Sequence, residues 1–200
     1  MERRPELTII AGPNGAGKSR LCPFYVSTPS FDGDKLMQNL RKDHPDWPDR
    51  WVSGTVASEL EKQKTKALAE RKDFAFETNF SSDMVVGMVN EFKTAGFKIT
   101  LCYFGLTSED DSVMRVTLRA QTGGHDVADD VIRFNFSEGL VKVKQHLNLF
   151  ENLTFRSTEG LSLCAPESKT CEDLHDKSTG LYLYGDLYVA DEFMREKGLL

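Results

Sequence analysis

Near the start of the chain, Gly12-Pro13-Asn14-Gly15-Ala16-Gly17-Lys18-Ser19 fits G-x-x-x-x-G-K-[ST] without a mismatch. Glycines let the backbone enter conformations closed to other residues and approach a ligand closely. Successive amide hydrogens, with a helix N-terminus behind them, then point at an anion. Lys18 brings a positive charge to the outer phosphates of a nucleotide, and the Ser19 hydroxyl can ligate magnesium. Gly12 to Ser19, followed by Arg20, are therefore the expected contacts of ATP and Mg²⁺. A glycine-rich turn without a ligand is the competing explanation. The strand-sized apolar run Leu7–Ala11 directly before the loop, and the Lys-Ser pair that ends it, weigh against that explanation.

Phosphoryl transfer also needs a carboxylate beside the acceptor hydroxyl and cations over the phosphates. Phe31-Asp32-Gly33-Asp34 follows the first helix, where a second strand would emerge at the carboxyl end of a sheet. Two acids this close discourage double ionisation, and one can accept a hydroxyl proton. Asp34 is the expected base, with Asp32 beside it at the acceptor. Capping the helix Lys35–Lys42 is the alternative task, which Asp34 can also perform. Arg115 and Arg119 lie four apart on one helical face, and Arg133 lies on the next helix beyond Gly123-Gly124. Two helices joined by a flexible turn, with arginines inward, describe a lid over residues 115–135. Arg119 and Arg133 are its expected catalytic cations, against the alternative of a solvated helix face.

These groups need a frame. Leu7–Ala11, Phe74–Phe76 and Ile99–Phe104 are short, nearly continuous apolar runs, as in strands buried on both faces of a parallel sheet. Helical patterns lie between and after them, over 52–71, 83–95, 108–121 and 129–149. Ser82-Asp83 can cap the second of these and Gly96 can close it. Alternating strands and helices predict an α/β, three-layer sandwich around a central, mostly parallel sheet, of the P-loop NTPase class. Pro23 should kink or shorten the helix after the loop. The turn 43–49, with two prolines, reads as a surface insertion over a substrate. The expected division is a P-loop core over 1–155 and a C-terminal extension over 156–200 packing on it. In the last fifty residues, Leu153–Phe155 and Leu161–Leu163 look like short strands and 186–197 like a helix.

Composition narrows the partners. With 200 residues, a core covering roughly 70% of the unfolded chain's surface is within reach. The net charge of -6 argues against a dedicated nucleic-acid binder. No apolar run approaches the roughly 18 residues of a membrane span, and no signal peptide is evident. Cys22, Cys102, Cys164 and Cys171 form no metal-ligand spacing. They read as reduced thiols of a cytoplasmic protein. N-K-x-D and D-x-x-G, expected of a GTPase, are absent, as is L-S-G-G-Q of transporter ATPases. A compact kinase for a small acceptor remains.

GPNGAGKS, FDGDKLM, FAFETNFS and YFGLTSEDDSVMRVTLRAQTGGHDVADDVIRFNF together resemble the zeta toxin-like P-loop kinases, in the branch labelled predicted ABC-type ATPases. The resemblance covers about residues 5 to 155, and GGHDV before an Ile-Arg helix is its most discriminating piece. It implies phosphorylation of a sugar-nucleotide hydroxyl by ATP, the acceptor in characterised zeta toxins being UDP-N-acetylglucosamine. It implies Lys18 and Ser19 as the phosphate and magnesium pair, and Asp34 as general base. Glu77 and Thr78 match the strand end that serves metal and acceptor. Arg119 and Arg133 match the lid arginines. Two motifs depart from the family. Ile132-Arg133-Phe134-Asn135-Phe136 stands for I-R-R-R-F, with two fewer positive charges, and Glu77-Thr78-Asn79 stands for E-T-T or E-G-T. An antitoxin partner is compatible with this resemblance, although nothing in the residues themselves reveals one.

Weaker signals have two explanations each. His125 and Asp126 either touch substrate or shape their loop. Trp47 and Trp51 either stack on a uracil or sugar ring or pin the turn around Pro48. Glu59 and Glu61 either face the acceptor or solvent. Phe155-Arg156 lies where related P-loop kinases form an adenine pocket, and Arg156 either stacks on the base or has no such role. Tyr182, Tyr184 and Tyr188 read as packing for the terminal helix rather than as a base-stacking platform. Two other activities fit the same residues: a kinase for a different small metabolite, and a regulatory nucleotide-binding module with weak ATPase activity.

Overall fold

The computed structural model describes residues 3–24, 26–121 and 127–157. Its centre is a five-stranded sheet in the order β2-β3-β1-β4-β5, every pairing parallel. The strands are β1 (Glu6–Ala11), β2 (Ser30–Phe31), β3 (Phe74–Thr78), β4 (Lys98–Gly105) and β5 (Asn152–Ser157). Six helices connect them: α1 (Lys18–Leu21), α2 (Gly33–Asp43), α3 (Asp49–Glu70), α4 (Asp83–Thr94), α5 (Glu109–Gln121) and α6 (Asp129–Gln145). The expected α/β sandwich is present.

Strands covered on both faces need apolar residues at successive positions, and β1 and β4 supply them. Leu7, Ile9, Ile10, Ala11, Ile99, Leu101 and Phe104 are fully enclosed. One face carries the larger core, in which Phe74 stacks on Phe92 at 5.7 Å and Phe92 meets Phe97 edge-on at 4.9 Å. Fully burying one such side chain contributes about 1.5–3 kcal/mol. The opposite face is smaller. Ile10, Ala75, Cys102 and Phe104 pack there with Leu21 and Cys22, and Phe136 of α6 rests against them.

Local chemistry sets the boundaries. Pro23 lacks the N–H a helix would need, and α1 stops at Leu21, giving way to a 3-10 turn over Cys22–Phe24. The helix behind the phosphate loop is thus one turn long. Ser82 begins α4 without a side-chain cap bond, and Gly96 ends it in the left-handed region at φ 81. α6 ends earlier than its sequence pattern suggests. The His146 N–H is shared between the Lys142 and Val143 carbonyls, and a 3-10 turn follows over Leu147–Leu149. β5 belongs to the main sheet and pairs with β4 through Ser157, across the expected boundary at residue 155. Residues 158–200 lie outside the described residues. Among the described residues, no helix is long and apolar enough to cross a membrane.

Candidate active site

Parallel register brings the ends of β1, β3 and β2 side by side. Ala11 is level with Thr78 and Phe31 with Phe76, so Gly12, Glu77 and Asp32 leave the sheet at one edge. Ligands of open α/β sheets bind at this carboxyl edge. A cleft of about 310 Å³ opens there, at the low end of the range for small-ligand sites. Gly15 to Arg20, Asp32, Asp34, Glu77 and Thr78 line it, with Asn79, Arg115 and Arg119.

The phosphate loop is pressed against its surroundings. At Gly12, φ is 144 and an added Cβ would lie 2.1 Å from the Phe104 carbonyl oxygen. Only glycine fits there. Asn14 is buried and doubly held: Ser112 Oγ donates to its main-chain oxygen at 2.5 Å, and Asn135 Nδ2 to its Oδ1 at 2.9 Å. Ser81 Oγ in turn donates to Asn135 Oδ1 at 2.7 Å. Lys18 Nζ donates to the carbonyls of Gly12 (2.8 Å) and Pro13 (3.0 Å) and to Asn79 Oδ1 (3.0 Å). Burial pulls the Lys18 ammonium down from 10.5 to about 8, although the charges of Asp34, Glu77 and Asp32 oppose that shift.

Three oxygen-bearing side chains meet beside Lys18. Ser19 Oγ lies 2.8 Å from Asp32 Oδ2 and 2.6 Å from Glu77 Oε2. A hydroxyl has one hydrogen and can donate to one of the two. Two carboxylates thus face one hydroxyl hydrogen here, an excess of acceptor oxygens over donors. Burial pushes the Glu77 carboxyl above its ordinary value and the Asp32 charge adds to this, while hydrogen bonds from Ser19 and Ser30 and the charge of Lys18 oppose it. A divalent cation would relieve that excess. Among the described residues no three His, Cys, Asp or Glu cluster as a self-sufficient metal site. Magnesium suits what is present, because it is held by one or two carboxylates plus phosphate oxygens and water.

The two aspartates have separate tasks. Asp32 Oδ1 accepts from the Lys35 N–H at 3.0 Å and makes Asp32 the N-cap of α2. The capping task that Asp34 was able to fill thus falls to Asp32, and Asp34 stands exposed on the cleft wall. Thr78 Oγ1 accepts from the Phe80 N–H at 3.0 Å and shapes the turn in which Phe80 takes φ 58.

The arginines divide as well. Arg20, Arg115 and Arg119 line the cleft. Arg133 does not. Its guanidinium forks onto Glu109 Oε2 (3.3 Å) and Asp110 Oδ1 (2.7 Å) at the start of α5. Gly123, Gly124, His125 and Asp126 lie outside the described residues, as do Tyr182, Tyr184, Tyr188, Cys164 and Cys171. Arg156 bonds the buried Cys102 thiol, whose pKa burial raises to about 11, and Phe155 tilts against Tyr103 at 5.4 Å. Glu61 pairs with Lys64 at 2.9 Å.

Sequence reasoning missed Asn79 and undervalued Asn135. Asn79 needs α6 close by: at Gly139 a Cβ would lie 2.3 Å from the Asn79 carbonyl oxygen. The departures from the family pattern at 79 and 135 were the available signal. Each puts an amide where it bonds the phosphate loop.

No family model matches the chain. An uncharacterised protein of Haemophilus influenzae is 25% identical over 130 residues, which is 64% of this chain and 90% of that relative. A candidate kinase from Chloroflexus aurantiacus superposes with a TM-score of 0.61 at 21% identity, over 82% of this chain and 93% of that one. A protein of the PezAT chromosomal toxin–antitoxin system of Streptococcus pneumoniae gives 0.57 at 14% identity, over 99% and 86%. At these identities the likeness is one of fold alone, an α/β sandwich shared with those two structures.

Proposed function

We propose that the chain is an ATP-dependent small-molecule kinase that transfers the γ-phosphoryl group to a hydroxyl of a sugar nucleotide such as UDP-N-acetylglucosamine. One observation carries the reading. Both aspartates line the cleft, but Asp32 is occupied by the helix cap and by Ser19, whereas Asp34 stands exposed on the wall within the field of Lys18. The loop amides and Lys18 hold the phosphate tail. Ser19, Glu77 and Asp32 are the groups to hold Mg²⁺, which when bound neutralises charge on the phosphates. Asp34 takes the proton of the acceptor hydroxyl, whose oxygen forms the new bond to phosphorus as the bond to the ADP oxygen breaks. Glu77 and Thr78 border the acceptor. Arg119 stabilises charge on the transferred group, and Arg133 joins it by leaving Glu109 and Asp110. Catalysis of this kind is positioning and electrostatics.

ATP labelled at the γ-phosphate, offered with UDP-N-acetylglucosamine and with nucleosides and amino sugars, tests the reading. Label should pass to the sugar nucleotide. Asp34→Asn should lower turnover about 10²–10⁴-fold while ATP still binds. Unchanged transfer in that variant removes the base assignment, and label on another acceptor identifies a different metabolite kinase.

Arg133 on its acidic fork and Asn135 on Asn14 favour a second reading, a regulatory nucleotide-binding module with weak hydrolysis. Tight ATP binding with no labelled product from a whole-cell extract selects it. Likeness to a toxin–antitoxin component supports an antitoxin protein as partner in either case. Co-purification of a stoichiometric small protein from the native host is its test.

A further inference from the structure

We infer that α2, the turn 44–48 and α3 form a second binding groove, which takes the far end of the phosphoryl acceptor by stacking a ring, nucleobase or sugar, on Trp51 beside Glu59. The inference rests on the kinase reading and names the class of its acceptor: a two-ended molecule with a hydroxyl at Asp34 and a stackable ring farther away.

Shared walls carry the argument. Asp32 borders the cleft and also a neighbouring depression, where it lies with Phe31, Leu36, Thr55 and Glu59. Thr55 and Glu59 then border a third depression, with Trp47, Arg50, Trp51 and Gly54. The three depressions are therefore neighbours, sharing Asp32 and then Thr55 and Glu59 as walls. The floor of the second and third is a single stripe of α3, because Trp51, Thr55, Glu59 and Gln63 recur every four residues. Twelve residues of helix span about 18 Å, more than one ring needs.

The two tryptophans differ in state. Trp47 is stacked on His44 at 4.1 Å and 8°, which is sufficient to pin the turn. Trp51 meets Trp47 edge-on at 6.2 Å and 82° and is 54% exposed. Pinning explains Trp47 and leaves a face of Trp51 to solvent. At Gly54 an added Cβ would meet nothing within 4 Å, so the wall beside that face is open. Gln63 and Lys62 hold the Glu59 carboxylate at 2.9 and 3.3 Å, and an ionised carboxylate accepts hydrogens from sugar hydroxyls or base amines.

The chain has two tryptophans and both are in this groove, so fluorescence excited at the red edge, where its five tyrosines do not absorb, reports on this groove. The full chain is titrated with UDP-N-acetylglucosamine, uridine, N-acetylglucosamine and adenosine, and ATP binding is measured separately by calorimetry. Saturable quenching is expected from UDP-N-acetylglucosamine. Uridine alone distinguishes a stacked base, and N-acetylglucosamine a stacked sugar. Trp51→Ala should weaken binding of the quenching probe, and raise its KM, about tenfold to a hundredfold. Trp51→Phe should restore most of that, with ATP affinity and melting temperature unchanged in both. No quenching by any of the four probes, or an unaltered acceptor KM in Trp51→Ala, overturns the inference and leaves the kinase reading standing. Quenching without any ATP binding sinks the kinase reading instead.

Discussion

On the donor wall of the cleft, Asn14 is 5% exposed, and its oxygens are bonded by Ser112 and Asn135, about a hundred residues along the chain. On the proposed acceptor wall, Trp51 is 54% exposed, and Glu59 is bonded by Lys62 and Gln63 of its own helix. The first wall is fixed by long-range contacts, and a side chain at Gly12 would collide with the Phe104 carbonyl behind it. The second is the outer face of a helix pair. Side chains there can be exchanged without disturbing the phosphate loop. A motif spells the first wall, whereas no motif spells the second.

Removing the charge of the donor wall has the largest expected effect. Lys18→Met should lower turnover about 10³-fold, measured as label transfer, while circular dichroism stays native. Next comes its backbone. Gly12→Ala should cost about 3 kcal/mol of stability, read from a urea midpoint, through a crowded Cβ and an unfavourable φ. No single alanine on the exposed strip of α3 should approach that. The third test is pH. Lys18 titrates near 8 when no nucleotide is bound, so at pH 9 about a tenth of it is charged. ATP affinity should be flat below pH 7 and fall up to about tenfold by pH 9, with proton uptake visible when calorimetry is repeated in buffers of different ionisation enthalpy. Acceptor binding at Trp51 should not follow that curve. The smallest effect is Asn135→Ala, which should weaken ATP about fivefold, the worth of one buried hydrogen bond. An equal loss of acceptor affinity would blur the distinction between the walls.

Parts of this were legible in the residues. β1, β3 and β4 announce themselves as continuous apolar runs, and G-x-x-x-x-G-K-S marks the donor site because glycine geometry and an ammonium leave few substitutes. β2 has no apolar run of its own; the order of elements predicts it before Asp32, and with two residues it depends on pairing with β3. Asp-Gly-Asp is ambiguous as written. Which acid caps α2 depends on where the helix begins, and the structure places that start at Gly33. Asn14, Asn79 and Asn135 are ordinary polar letters until the fold brings α6 against the loop. Arg133 reads as a lid cation, but the sequence does not show that Glu109 and Asp110 lie within its reach.

The Lys18 ammonium already has an oxygen for each of its three hydrogens, from Gly12, Pro13 and Asn79. An incoming anion must outbid those partners before it gains anything. Orthophosphate offers few oxygens for that exchange. A polyphosphate chain, seized at several loop amides at once, offers many, so ordinary inorganic phosphate should be a poor competitor of ATP.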